Sequence, residues 1–196
     1  MATTKKTGSK SAPAKEEGKP APKAAALKKA APKKAAPAKP AAHPPSAAPT
    51  DGQKAPAFSL EGSDGKTHRL ADYADRNLIL YFYPRDDTPG CTRQAIAFQG
   101  AAKALAKKNA VVLGVSKDSL ASHAKFKAKY DLDFVLLSDP DLKVHAAYGA
   151  YGEKVLYGKK STGVIRSTFV ITDGRIRKAF PKVKVDGHTD HVLAAL

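Results

Sequence analysis

The chain has 196 residues, and its 34 Lys and Arg against 18 Asp and Glu give a formal net charge of +16. A single Cys excludes an internal disulfide framework and a Cys-rich zinc cluster. No stretch approaches the roughly 18 apolar residues of a membrane span, and no apolar segment follows the first lysines. The sequence therefore predicts neither a membrane helix nor a secretory signal.

Residues 1–50 differ in composition from the rest of the chain. They contain 16 Ala, 11 Lys and 9 Pro but only two acids and no aromatic residue, which gives a net charge of +9. Such a segment cannot bury enough apolar surface to offset the entropy lost on ordering, so we expect a disordered Lys/Ala/Pro-rich tail. The tail is either a solvated linker that raises solubility or an arm that binds DNA or another polyanion.

Residues 51–196 carry all 14 Phe and Tyr and the remaining charge of +7. A domain of about 150 residues buries roughly two thirds of its unfolded surface, so this part can form one core without a metal or disulfide. Its first predicted element is a hairpin, with Ala57–Leu60 and Thr67–Leu70 flanking a turn at Ser63–Lys66. The apolar run Asn77–Tyr83 is typical of a central strand buried on both faces.

Helices and strands then alternate. The pattern predicts a helix over Pro89–Asn109, a strand over Val111–Ser116, a helix over Ser119–Tyr130, a strand over Phe134–Ser138 and a short helix from Pro140 to about Ala147. Alternation of this kind indicates an α/β sandwich with a largely parallel sheet segment.

The C-terminal part follows a different pattern. Arg166–Thr172 and Arg175–Phe180 flank Asp173-Gly174, a two-residue turn signal, and predict an antiparallel hairpin before a final helix over Thr189–Leu196. The segment before this hairpin is predicted to be a flexible loop marked by glycines: Gly149, Gly152, Gly158 and Gly163. Because no phosphate-binding glycine motif follows a strand, we expect no nucleotide and no other cofactor.

The most informative segment leaves the predicted central strand and enters the first helix. If Thr88 is the N-cap and Pro89 the first helical residue, Cys91 is the third, within the turn that carries the positive end of the helix dipole. That position favours a thiolate, the nucleophilic form of a group whose free pKa is about 8.5. A lone Cys is more often a small core residue. The flanking Pro, Gly and Thr favour a functional thiol here.

Several polar residues are candidate neighbours of this thiol. Arg166 opens a predicted strand, whereas Arg85 and Arg93 are nearer in sequence and are rival cations. Asp86 and Asp87 are expected on a solvated loop, although at close range their charges would oppose a thiolate. His188 and His191 are interpreted as surface or capping residues, because two histidines do not make a zinc site.

The same residues carry a family resemblance. Pro84-x-x-x-Thr88-x-x-Cys91 resembles the active-site motif of peroxiredoxins, and FYPRDDTPGCTRQA is similar to the bacterioferritin comigratory protein (peroxiredoxin Q) branch. The resemblance covers essentially all of residues 51–196, including LGVSKDS, FVLLSDPD and GVIRSTFVI. It implies a thioredoxin-like sandwich, a central mixed sheet flanked by helices, and a thiol peroxidase that reduces hydrogen peroxide and organic hydroperoxides to water and alcohols.

The resemblance also assigns roles. Cys91 would be the peroxidatic cysteine, Pro84 would shield it from water, and Thr88 would hydrogen-bond the sulfur and the peroxide. Arg166 would stabilise the thiolate and the transition state. No metal ligand is implied. On family grounds we expect a cytoplasmic protein, or a nuclear one in a eukaryote.

One departure from the family pattern has chemical consequences. Many members of this branch carry a second Cys five residues after the first, and here that position is Ile96. A sulfenic acid on Cys91 must then react with an external thiol, from thioredoxin, glutaredoxin or a low-molecular-weight compound. A thiol–disulfide oxidoreductase is disfavoured because Gln94 stands where a Cys-x-x-Cys motif needs its second Cys. The alternative function is a polyanion- or DNA-associated protein with a vestigial redox site.

Overall fold

The computed structural model describes residues 47–156 and 159–196, so the predicted tail lies outside the described residues except for residues 47–50. The strands are β1 (Ser59–Gly62), β2 (Thr67–Arg69), β3 (Asn77–Phe82), β4 (Ala110–Ser116), β5 (Val135–Ser138), β6 (Tyr151–Leu156), β7 (Lys159–Val164), β8 (Ser167–Thr172) and β9 (Arg175–Phe180). The α-helices are α1 (Pro89–Gly100), α2 (Ala102–Lys107), α3 (Leu120–Tyr130), α4 (Lys143–Ala147) and α5 (His188–Ala194), and a 3-10 turn covers Leu70–Tyr73.

A seven-stranded mixed sheet organises the molecule, in the order β2-β1-β5-β4-β3-β8-β9. The inner strands β3, β4 and β5 are parallel, and the outer strands pair antiparallel on both sides. The parallel segment, the first hairpin and the β8–β9 hairpin confirm the sequence predictions. The β8–β9 turn has positive φ at both Asp173 (50°) and Gly174 (69°), the backbone conformation that two-residue hairpins favour.

Strand β3 is buried on both faces of the sheet. Leu78, Leu80 and Phe82 pack into one core with side chains from α4 and β1, while Ile79, Tyr81 and Tyr83 pack into the opposite core. The second core receives side chains from α1, α2, α3 and α5. Alternate residues of a strand point to opposite faces, so a continuous apolar run is what a sheet covered on both sides requires.

The predicted single helix over Pro89–Asn109 is wrong at its centre. Helix α1 ends at Gly100 and α2 begins at Ala102, while Ala101 between them keeps a right-handed backbone with ψ near −1°. Glycine is about 1 kcal/mol less favourable than alanine in a helix. On α2, Leu105 is buried and its neighbours are exposed, so this helix contributes one side chain to the core.

The predicted glycine-rich loop is also wrong within the described residues; Gly158 lies outside them. Strands β6 and β7 form an antiparallel pair in which Tyr151 lies opposite Val164 and Gly152 opposite Gly163. Gly152 and Gly163 have no side chains, so only their backbones take part in this pairing. Gly149 has φ of +62°, and a Cβ there would lie 2.6 Å from the backbone of Ala48.

The described chain begins within the segment assigned to the tail, where Pro49 is buried. Asp51 accepts a hydrogen bond from the Ala179 amide at 2.7 Å, and the Gly52 amide donates to the Ile176 carbonyl at 2.7 Å. These contacts fasten the start of the domain to β9. Within residues 47–156 and 159–196, no helix is long and apolar enough to cross a membrane.

Candidate active site

Cys91 lies in the first turn of α1, immediately beyond the carboxyl end of β3. Thr88 has the extended backbone of an N-cap, Pro89 opens the helix, and Thr92 N donates to Thr88 O at 2.8 Å as the first helical bond. The amides of Gly90 and Cys91 precede that bond, so they carry the positive end of the helix dipole. The predicted N-cap and helical position of Cys91 are both confirmed.

The thiol points inward rather than toward solvent. Only 2% of Cys91 is exposed, and it packs with Tyr81, Tyr83 and Ala95 in the second core. The rings of Tyr81 and Tyr83 stack with centroids 5.4 Å apart. Burial, and then the nearby charges of Cys91 and Asp86, raise the pKa of Tyr81 well above its usual value. The phenol of Tyr81 therefore stays neutral in the core that it shares with Cys91.

Arg166 reaches this thiol from the connection between β7 and β8. Its Nη2 donates to Cys91 Sγ at 3.2 Å and its Nη1 donates to Gln94 Oε1 at 2.5 Å. The backbone is fixed on both sides, because Ile165 N donates to Ala150 O and Val183 N donates to Arg166 O, each at 2.8 Å. Gln94 lies one helical turn after Cys91, and its side chain directs the guanidinium toward the sulfur.

The two rival cations do not occupy this position. Arg85 is exposed, and Arg93 points outward to Asp186 with Nη1 to Oδ1 at 3.3 Å. The Arg93 side chain is 65% exposed. Among the described residues, Arg166 is therefore the cation that contacts the thiol.

Pro84 and Thr88 lie in the loop that leads from β3 to Cys91, and both are half-buried. Strand pairing continues through Tyr83, whose amide donates to Val115 O at 3.1 Å, and then stops because Pro84 has no N–H. The Thr88 hydroxyl donates to the Arg85 carbonyl at 3.2 Å. Loop and helix N-terminus thus form one wall of the site.

The prediction that Asp86 lies on a solvated loop is wrong. Asp86 is 7% exposed and accepts hydrogen bonds from Tyr83 OH at 2.7 Å and from His123 Nδ1 at 2.9 Å. Asp87 is exposed as predicted, and its carboxylate binds Lys129 Nζ and Tyr130 OH.

His188 is also buried rather than a surface or capping residue. Its Nε2 lies 2.9 Å from Thr168 Oγ1, and its ring meets the edges of Phe98 and Phe180. Burial, then repulsion from His191 and Arg166, lowers the pKa of His188 to about 4. A neutral imidazole therefore lies behind Arg166. Across the described ranges, no group of three or more His, Cys, Asp or Glu is arranged to hold a metal ion.

Comparisons with known proteins agree with this geometry. The AhpC/TSA family model matches residues 52–179. The chain belongs to this family. A bcp peroxiredoxin sequence of Coxiella burnetii is 49% identical over 74% of this chain and 97% of its own length. Peroxiredoxin Bcp of Bacillus subtilis is 44% identical over 74% of this chain and 93% of its own length.

A solved structure supports the same assignment. The trapped intermediate/ligand complex of the Xanthomonas campestris bacterioferritin comigratory protein is 42% identical, covers 70% of this chain and 88% of its own, and has a TM-score of 0.67. The expected thioredoxin-like fold and peroxiredoxin family are thereby confirmed. The protein is a thiol-dependent peroxidase whose substrate is a peroxide and whose reductant is a thiol.

Sequence reasoning missed several residues of this peroxiredoxin site. Gln94 was considered only as a missing cysteine, whereas its side chain orients Arg166. Asp86 and His123 are 37 residues apart, and nothing in their local patterns indicates that they pair. One signal was available for His123, because helical periodicity places it three residues before Phe126, on the buried face of α3.

Proposed function

We propose that Cys91 is the peroxidatic cysteine and that its thiolate attacks the terminal oxygen of a peroxide. The observation that carries this proposal is the Arg166 Nη2 to Cys91 Sγ contact of 3.2 Å in the first turn of a helix. Guanidinium and helix dipole both favour a negative sulfur. A sulfur–oxygen bond forms, the oxygen–oxygen bond breaks, and the departing oxide takes a proton to give water or an alcohol.

Arg166 and Thr88 have distinct parts in this step. The guanidinium stabilises the thiolate and then the charge that develops on the leaving oxygen. The Thr88 hydroxyl, bound to the Arg85 carbonyl in the resting site, turns to donate to the sulfur and the peroxide. Pro84, half-buried at the end of β3, limits access of water. Hydrogen peroxide and organic hydroperoxides are the substrates, consistent with the alkyl peroxide reduction activity of the Xanthomonas campestris relative.

Regeneration uses a thiol from another molecule, since the chain contains one Cys. The sulfenic acid condenses with an external thiol to a mixed disulfide and water, and a second thiol then releases Cys91. Thioredoxin, glutaredoxin and low-molecular-weight thiols are the candidate reductants.

Intact mass spectrometry tests the chemical step. One equivalent of hydrogen peroxide without reductant should add one oxygen to the monomer, in a form that a dicarbonyl reagent traps. Excess peroxide should give higher oxides, and Cys91→Ser should lose both the oxygen gain and peroxide consumption. Full activity in Cys91→Ser, or turnover without any oxygen gain, would contradict the assignment.

The basic tail has a separate role in this proposal. Eleven lysines against two acids in residues 1–50 favour weak, sequence-independent binding to DNA or another polyanion. Such binding would hold the peroxidase near a target that oxidants damage, in the cytoplasm or in a eukaryotic nucleus.

A further inference from the structure

The loop that precedes Cys91, residues 83–88 and here called the catalytic loop, is attached to α3 through one buried carboxylate. Asp86 accepts hydrogen bonds from Tyr83 OH and Ser122 Oγ, each at 2.7 Å, and from His123 Nδ1 at 2.9 Å. Its own amide donates to Asp118 Oδ2 at 2.8 Å. Except for Tyr83, these partners belong to α3 or to the turn before it. The middle of the catalytic loop is therefore bound to α3.

His123 supplies the buried partner of this carboxylate. Its side chain is 0% exposed, Nδ1 faces the Asp86 carboxylate, and Nε2 lies 3.2 Å from the Leu137 carbonyl oxygen. Burial raises the pKa of Asp86, but hydrogen bonds from His123, Ser122 and Tyr83 outweigh it and leave the pKa below its ordinary value. The two side chains form a buried hydrogen-bonded pair.

The pairing matters because Asp86 and Cys91 act on a common neighbour. Besides burial, both raise the pKa of Tyr81, which lies in the same core as Cys91, and a carboxylate at short range opposes a second negative charge. The hydrogen bond from His123 holds this carboxylate toward α3. The remaining titratable groups around the pair are Tyr83, which donates to Asp86, and Asp118, which accepts from the Asp86 amide and Ser116.

A closed catalytic loop favours the reaction of Cys91 with peroxide and hinders its later reaction with an external thiol. Cys91 is 2% exposed, so a protein thiol cannot reach its sulfur while the catalytic loop is closed. We propose that Asp86 and His123 are a positioning pair that holds the catalytic loop on α3, which speeds attack on peroxide and slows access of external thiols to Cys91. This inference rests on the proposed function of Cys91.

Asp86→Asn and Asp87→Asn form a matched test. The same atom is changed at adjacent positions: Asp86 is buried against His123, whereas Asp87 also bonds α3, but through an exposed pair with Lys129 of the kind that contributes little. Asn tolerates the left-handed backbone of Asp87, whose φ is 54°. In the full chain, one assay measures the second-order rate constant with hydrogen peroxide, and another measures alkylation of Cys91 by a bulky maleimide.

We expect Asp86→Asn to react with peroxide about tenfold more slowly and with maleimide about tenfold faster, and Asp87→Asn to stay within about twofold of wild type in both assays. Equal maleimide rates in wild type and Asp86→Asn would overturn the proposal. Both assays are run well below the melting temperature of each variant. If the proposed function itself is wrong, Cys91→Ser reveals that separately, because it tests the nucleophile and not the loop.

His123→Gln supplies a readout that a merely structural role would not give. It weakens the attachment like Asp86→Asn but keeps the Asp86 carboxylate, now without its imidazole partner. We therefore expect both variants to react faster with maleimide, while thiolate absorbance forms at higher pH than in wild type only in His123→Gln. A shift in the same direction in both variants would contradict the charge argument. If His123→Gln does not fold, the Asp86 and Asp87 pair of variants still decides the attachment.

Discussion

Arg166→Ala tests the central electrostatic argument about the site. The change removes a guanidinium whose Nη2 lies 3.2 Å from the Cys91 sulfur. Two unit charges about 4 Å apart interact by about 4 kcal/mol at an effective dielectric constant of about 20, and desolvation offsets part of this. Loss of one donor to a transition state costs about 3–4 kcal/mol in other enzymes. We therefore expect the rate constant with peroxide to fall by about 10²-fold or more.

Single-turnover stopped flow with hydrogen peroxide and no reductant measures this step alone. Arg93→Ala is the control, because Arg93 lies on the same helix but is exposed and paired with Asp186. Exposed ion pairs of this kind contribute about 0–1 kcal/mol to stability. The rate constant of Arg93→Ala with peroxide should therefore stay within about twofold of wild type. Arg166→Lys keeps the charge but loses the two-pronged geometry that joins Gln94 and the sulfur, and an intermediate rate is expected.

The pH dependence separates two contributions of Arg166. If the guanidinium only promotes thiolate formation, the variant should recover its rate at a pH where the thiol is fully ionised. If it also stabilises the leaving oxygen, a deficit of about tenfold or more should remain. Gln94 loses its donor in this variant, which costs about 1–3 kcal/mol of stability, so all rates must be compared below the melting transition. A loss below about threefold at every pH would refute the assigned role.

Three further predictions concern other parts of the molecule. Thr88→Val should slow single-turnover peroxide reduction by about 10²-fold while leaving the fold intact. His188 binds fewer protons in the folded state between pH 6.5 and about 4, so stability should fall as pH falls through this range. The lowered pKa corresponds to at most about 3 kcal/mol of unfolding free energy, and to about 1–2 kcal/mol after solvent screening. Urea unfolding measures this acid-dependent loss of stability. The loss should disappear in His188→Gln but persist in the exposed control His191→Gln. Finally, duplex DNA binding by the full chain should weaken about a thousandfold between ~50 and ~200 mM salt if six or more phosphates are contacted, and equal behaviour of residues 47–196 would reduce the tail to a linker.

The sequence allowed the position of Cys91 in the first turn of α1 to be predicted because the signals for it are local. A buried apolar strand, a Thr before Pro, and a Cys two residues later determine where the strand ends and the helix begins. Each of these signals spans only a few neighbouring residues. The same holds for the β8–β9 hairpin, whose Asp173-Gly174 turn sets the pairing next to it as far as a register shift between Val170 and Ile171. Arg166 could be assigned only through the family resemblance, because 75 residues separate it from Cys91.

Other parts depend on contacts that local patterns do not contain. The division of the predicted helix at Ala101 is not marked by a proline, and the β6–β7 pair contains glycines that taken singly indicate a loop. Asp86 was assigned to solvent because acids usually are. The structure buries it because the His123 imidazole and the Ser122 hydroxyl of α3, together with the Tyr83 hydroxyl of its own loop, satisfy its oxygens. Compensation of that kind becomes visible only when the fold brings those groups together.

The charges near Cys91 are arranged so that one cation is left for the sulfur. The Asp86 carboxylate, which would oppose a thiolate, is paired with His123, and burial keeps His188 neutral behind the guanidinium. Arg166 contacts the neutral Gln94 amide, and among the described residues it forms no ion pair with a carboxylate. A carboxylate in place of Gln94 would hold the guanidinium equally well but would compete with the sulfur for its charge. With Cys91 as the proposed nucleophile, the neutrality of residue 94 leaves the guanidinium charge to the thiolate, and through it to the leaving oxygen.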